Sequence, residues 1–181
     1  MKFDHDKFLT ACGNFNDSQK EGMDFLLSSF EAEISLTDIR WLAYMLATIG
    51  RECDGKWQPI SEYGKGQGHS YGQPDPETGQ TYYGRGYVQL TWKSNYQAMG
   101  KILGIDLVNQ PDMALDPATA YHIMSHGMQN GSFTGVGLKK YIHDDTCDYV
   151  NARRIINGTD HAQEIADAAI WFQQILKECV V

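Results

Sequence analysis

Between Gly55 and Gly86 the chain loses every regular period. Glycines stand at positions 55, 64, 66, 68, 72, 79, 84 and 86, with Pro74 and Pro76 among them. A stretch interrupted in this way cannot run as a helix, because glycine loses backbone entropy there and proline removes a donor and clashes. Nor does it read as disorder. Trp57 and five tyrosines (Tyr63, Tyr71, Tyr82, Tyr83 and Tyr87) fall in or beside it, and disordered segments are poor in aromatics. A long aromatic loop inside a compact domain is most often functional.

The flanks are helical by pattern. Ser18-Gln19-Lys20-Glu21 has the spacing of a capping box ahead of Met23, Leu26, Leu27 and Phe30. Ser35-Leu36-Thr37-Asp38 starts a second helix. Its buried face is Ile39, Leu42, Ala43, Leu46 and Ile49, and it ends near Gly50. A short β-hairpin is expected inside the loop, and residues 87–92 have strand propensity. Helices are then expected over 95–103, over 118–128 behind the cap Asp116-Pro117, over 146–156, and from Asp160 onward with Ile165, Ala169, Phe172 and Leu176 inward. The expectation is a mainly α protein: one catalytic domain over 1–181, with a helical N-terminal segment 1–35 and a catalytic core of about 36–178.

Charge and cysteine usage remove several classes of function. A net charge of −8 argues against nucleic acid as a partner. No apolar run approaches the ~20 residues of a membrane helix. The opening Met1-Lys2-Phe3-Asp4-His5-Asp6 lacks the pattern of a secretory leader, so the expectation is a protein made in the cytoplasm that reaches the cell wall after release. Cys12, Cys53, Cys147 and Cys179 form no metal-ligand spacing and read as free thiols. Cys53 reads as a packing residue. His122 and His126 stand four apart but lack the glutamate of a zinc helix, and read as a polar face. No metal and no cofactor are expected, and the chain is expected to be a monomer.

Two carboxylates suggest chemistry. Glu52 stands where the second helix gives out, and Glu62 lies ten residues on, inside the aromatic loop. Glycoside hydrolysis needs two such groups, one carrying a proton for the leaving oxygen and one ionised. Trp41 and Trp57 are candidates for an apolar neighbour that keeps the donor protonated. A glutamate pair alone is a weak signal; the loop strengthens it. Sugar rings stack their C–H faces on aromatics, and their hydroxyls seek short polar groups. Tyr82-Tyr83-Gly84-Arg85-Gly86 with Gln89, Thr91 and Asn95 supplies both. Arg85, between two glycines, reads as a tie within the loop, with a catalytic carboxylate as one candidate partner.

The run Tyr83-Gly84-Arg85-Gly86-Tyr87-Val88-Gln89-Leu90-Thr91, followed by Asn95-Tyr96, resembles the signature of glycoside hydrolase family 19, which contains chitinases and related phage endolysins. The resemblance continues through residues 109–117 to Ile155-Ile156-Asn157-Gly158. It implies a lysozyme-like, two-lobed helical domain with a cleft and a small β-hairpin element. It implies Glu52 as proton donor, Glu62 as general base and Thr91 as the hydroxyl that helps hold the attacking water. It also implies that Gln89, Asn95 and Asn157 line the sugar subsites, and Tyr83 is taken as a further substrate contact. The family inverts the anomeric centre, which calls for carboxyls ~6.5–9.5 Å apart.

Three departures from the family pattern stand out. Arg51 replaces the histidine before the donor and is expected to point away or pair elsewhere. Cys53-Asp54-Gly55 replaces the small residues after it, and Ala168 stands where plant chitinases carry an arginine. The short chain is more similar to the endolysin branch than to plant chitinases. The expectation is therefore a lysozyme acting on peptidoglycan, with a chitinase as alternative and a non-catalytic sugar-binding module as a third possibility.

Overall fold

The computed structural model describes residues 1–181 in full. Seven α-helices carry the chain: α1 His5–Cys12, α2 Asp17–Ala32, α3 Ile39–Glu52, α4 Lys93–Leu103, α5 Pro117–Asn130, α6 Tyr149–Ala152 and α7 Ala162–Cys179. Four two-residue strands, β1 Ile60–Ser61, β2 Arg85–Gly86, β3 Ile142–His143 and β4 Thr146–Cys147, form two small antiparallel pairs, β1 with β2 and β3 with β4. The fold is mainly α, as the patterns implied. No helix is long and apolar enough to cross a membrane.

Two compact units divide the chain, residues 1–57 with 126–181, and residues 58–125. The first is helical and built around α3 and α7. Asp38 caps α3 by accepting from Arg40 N at 3.0 Å. Eight successive residues of α3, Leu42 to Ile49, are buried, so this is a central helix rather than a half-exposed amphipathic one. Trp57 packs edge-on between Phe15 and Phe172, with centroids at 6.3 and 5.6 Å. Gly50 makes room for it: a Cβ there would lie 3.0 Å from the indole. Phe8 of α1 stacks on Phe172 at 6.4 Å. The chain ends are tied together, Asp4 N donating to Cys179 O at 2.7 Å.

In the second unit β1 and β2 pair Ile60 with Gly86 and Ser61 with Arg85. Between them runs the glycine-rich loop, with only a single 3-10 turn, Ser70–Gly72. Two of its glycines serve backbone packing rather than ligand approach. A Cβ on Gly72 would lie 2.1 Å from the Gly66 carbonyl oxygen, and one on Gly66 would lie 2.6 Å from the Gly72 Cα. On either side of β2, Tyr82, Tyr87, Leu90, Tyr96 and Met99 are buried in the core.

Several local expectations are overturned. The stretch 87–92 is a tight turn, not a strand. Arg85 and Leu90 exchange backbone hydrogen bonds of 3.1 and 2.8 Å, and closing that ring puts Gln89 at φ 54. The α2 capping box is Asn16 with Gln19, two residues earlier than the Ser18 pattern suggested. The 146–156 region opens as strand β4; Asp148 then caps a helix by accepting from Asn151 N, so α6 starts only at Tyr149. Helix α1 lacks a periodic apolar signal, since Phe8 alone is buried.

Candidate active site

Glu52 is the last residue of α3, so its side chain leaves a rigid helix whose interior is fully packed. It is not solvated freely: its carboxylate is 17 % exposed, and Arg153 Nη1 donates to Oε1 at 2.6 Å from a side chain 5 % exposed. Arg153 Nε in turn donates to the Asp160 carbonyl at 2.9 Å, which fixes the guanidinium plane. The bond engages Oε1 of the carboxylate. The sequence pattern missed Arg153. It sits in an ordinary Arg-Arg pair 101 residues from Glu52, and nothing local marks it.

Arg51, the cation expected to turn elsewhere, is exposed, with Nη2 2.6 Å from His161 Nε2. The two tryptophans proposed as apolar neighbours of the donor have other work. Trp57 fills the core as described, and Trp41 donates to the Ile142 carbonyl at 2.9 Å. Cys53 is fully buried, and burial pushes its thiol up to about 12, so it is no nucleophile near neutral pH. Asn157 is exposed, its Oδ1 accepting from Gly158 N at 2.9 Å; the amide nitrogen is the group it can still offer.

Glu62 is held by different means. Its backbone extends the β1 ladder, N–H to Gly84 O at 2.7 Å. Gly84 N returns a bond to Glu62 Oε2 at 3.1 Å, and the Tyr71 hydroxyl donates to Oε1 at 3.2 Å. Each carboxylate oxygen thus accepts from a neutral donor. Burial first, and then the Glu62 charge, hold the Tyr71 phenol above its usual range, so it remains a donor.

Gly84 also joins Glu62 to the polar residues singled out in the signature. A Cβ built on it would lie 2.8 Å from Gln89 Oε1 and 3.4 Å from Thr91 Oγ1; only glycine lets these groups pack so close to this backbone. Thr91 donates its hydroxyl proton to the Gln89 carbonyl at 2.8 Å, which leaves its oxygen as an acceptor. Gln89 spends Nε2 on the Ile60 and Gly86 carbonyls at 3.0 and 3.1 Å, so Oε1 is what it has for a ligand. Asn95 Nδ2 donates to the Thr91 carbonyl at 2.8 Å.

Arg85 is the tie within the loop that the sequence suggested, and Tyr83 is packed beneath it. Arg85 touches neither glutamate. It lies 3.6 Å above the Tyr83 ring, pairs with Asp112 at 2.8 Å, and donates to the Thr81 carbonyl and the Tyr96 hydroxyl. Tyr83, buried under that guanidinium, is part of the scaffold on that face. The solvent-facing aromatics of this unit are Tyr63, 71 % exposed, and Trp92, 49 % exposed.

Comparison with known proteins supplies a context for both carboxylates. The family model of the class I chitinases, glycoside hydrolase family 19, matches residues 48–127. A rice chitinase, Chitinase 11, is 32 % identical over 120 residues, covering 66 % of this chain and 43 % of its own. An Arabidopsis thaliana endochitinase is 40 % identical over 95 residues, covering 51 % of this chain and 33 % of its own. The chain thus spans less than half the length of these plant relatives. The solved structure of a bacterial family 19 chitinase superposes with a TM-score of 0.67 at 26 % identity, covering 96 % of this chain and 94 % of the other. The matched segment includes Glu52, Glu62 and the whole Gly-Arg-Gly run, while Arg153 and Asn157 lie beyond it. The chain is therefore similar to glycoside hydrolase family 19 across residues 48–127, and shares the fold of a solved bacterial member of that family.

Proposed function

We propose that this protein is a chitinase-type glycoside hydrolase that cuts the β-1,4 bonds of an N-acetylglucosamine polymer by an inverting, two-carboxylate mechanism. The observation that carries the reading is the grouping around Gly84: its N–H donates to a carboxylate that also accepts from a phenol, and the Thr91 hydroxyl packs near the same glycine. A water molecule there gives one hydrogen to Glu62 and the other to Thr91 Oγ1. Its lone pair is then aimed at the anomeric carbon. As that bond forms, Glu62 takes the water's proton. The C–O bond to the leaving sugar breaks, and Glu52 passes the proton on Oε2 to the departing oxygen. Charge appears on Glu52 as the proton leaves, and Arg153 stands against Oε1 to receive it. Exchange with solvent restores both groups.

The sequence patterns leaned toward peptidoglycan and an endolysin role. The relatives reported above are chitinases, which moves the weight to chitin. Peptidoglycan stays as the competing substrate because Arg51, Cys53 and Ala168 depart from the plant pattern. Incubation of the protein with chito-oligosaccharides and with purified peptidoglycan separates the two by which polymer yields reducing ends. Proton NMR of the first product is expected to show the α-anomer. A β-anomer, or full activity in Glu52→Gln, sinks the mechanism.

A further inference from the structure

Trp92 occupies a backbone conformation that tryptophan resists. It is the N-cap of α4, at φ 76 and ψ 135, and its side chain caps nothing. Residues with a Cβ avoid this region, and bulky ones most of all. The backbone is pinned there from both sides. Its N–H donates to Tyr82 O at 2.9 Å, and its carbonyl accepts from Asn95 N at 3.0 Å and Tyr96 N at 3.1 Å. Glycine would fill the position without strain, and serine or aspartate would cap the helix besides.

The core does not account for the indole either. Tyr82, Tyr87 and Tyr96 are buried, but Trp92 is half exposed. Its ring meets Tyr71 edge-to-face, centroids 5.1 Å apart at 76°. Tyr71 is stacked on His69 at 4.9 Å and donates to the Glu62 carboxylate. One phenol therefore buttresses both the base and the indole, and Thr91 precedes Trp92 in the chain. A flat, braced, water-facing ring one side chain removed from the base has the form of a stacking platform.

We infer that Trp92 binds substrate: its indole face stacks on the C–H face of the N-acetylhexosamine ring beside Glu62, and the strained backbone is retained because it aims that ring. The inference rests on the glycosidase reading and adds a binding residue to it. Tyr71 is the positioning residue for both groups.

The test uses the Glu62→Gln protein, which holds substrate uncut, and N-acetylchitotetraose or peptidoglycan glycan strands as probe. Adding Trp92→Gly is expected to weaken binding at least about ten-fold, equivalent to ~1.4 kcal/mol, while Tm stays level or rises because strain is relieved. Adding Trp92→Phe, which keeps a flat ring, is expected to hold affinity within about three-fold. It should also abolish the change in indole emission that ligand induces in the parent. Unchanged affinity in Trp92→Gly overturns the inference and leaves the glycosidase reading intact. So does an emission change that survives in Trp92→Phe. If Glu62→Gln binds neither probe, the glycosidase reading falls, and the platform with it.

Discussion

The two units hold their carboxylates by opposite strategies. In the helical unit Glu52 stands on a buried helix and is gripped by one cation brought from far along the chain. In the loop-rich unit Glu62 is gripped by a backbone N–H and a phenol, 22 and 9 residues away. The first arrangement is stiff and charge-based; the second is neutral, local and built from turns that only glycine permits. An acid has to give up a proton and is helped by a cation that meets the resulting charge. A base has to stay bare without being neutralised by one. Under the proposed mechanism, the contrast in support matches the contrast in task.

The strongest challenge to that contrast is removal of the carboxylates themselves. Glu52→Gln and Glu62→Gln are each expected to lower kcat by ~10²–10⁴, with far-UV circular dichroism unchanged. If either substitution leaves kcat within a few-fold of the parent, that side of the comparison has no chemistry to support.

Arg153→Ala comes next. It strands a mostly buried carboxylate, and thermal or urea unfolding should show a loss of about 3 kcal/mol, with activity falling more than ten-fold. Arg153→Lys should recover part of the stability. A neutral outcome would mean that Glu52 needs no cation.

Gly72→Ala sharpens the other side. Its Cβ would overlap the Gly66 carbonyl, so the loop must shift, at a cost of ~1–3 kcal/mol. Hydrogen exchange should loosen around residues 62–72 while the amides of α3 and α7 keep their protection. Protection lost equally in both units would show that the loop is not an independent support.

Tyr71→Phe removes one neutral donor from Glu62. It should cost ~1 kcal/mol of transition-state stabilisation, or about five-fold in kcat, with KM little changed.

The smallest effect lies outside both grips. His5 sits between Asp24 at 2.6 Å and Glu31 at 3.2 Å. Burial opposes the charge on His5 and on Glu31, but their ion pairs and hydrogen bonds outweigh it, so His5 is raised above 6.5 and Glu31 lowered below 4.5. The His5 contribution is full below 6.5 and fades as pH rises through its folded value. That of Glu31 is present above 4.5 and fades as pH falls through its own. His5→Asn should therefore lower Tm most between about pH 4.5 and 6.5, less at pH 8, and leave kcat alone.

What the sequence disclosed follows from how local each signal is. The helices α2, α3, α4, α5 and α7 carry caps or apolar periods readable over a few residues, and the aperiodic loop announces itself through its glycines. The Gly84 cluster was legible in part, because Glu62, Gln89, Thr91 and Asn95 lie within one short stretch. The turn at 87–92 was not, since β-propensity scores the residues and cannot see the two backbone bonds that close Arg85 onto Leu90. Arg153 was not legible either. Its meaning lies wholly in a partner supplied by folding, and the same physics that hides it from local pattern makes it specific to the native state.

The helical unit is discontinuous in the chain: residues 58–125 are synthesised between its two parts. During translation Glu52 leaves the ribosome 101 residues ahead of the arginine that holds it, and α3 waits just as long for α7. The loop unit can form the grip on Glu62 while the remainder is still being made, but Glu52 cannot be secured before the chain is nearly finished. Native contacts of such separation slow folding and leave apolar helix surface exposed in the interval. A truncation anywhere before Arg153 would release a polypeptide that carries Glu62, Gln89 and Thr91 but lacks the cation that grips Glu52.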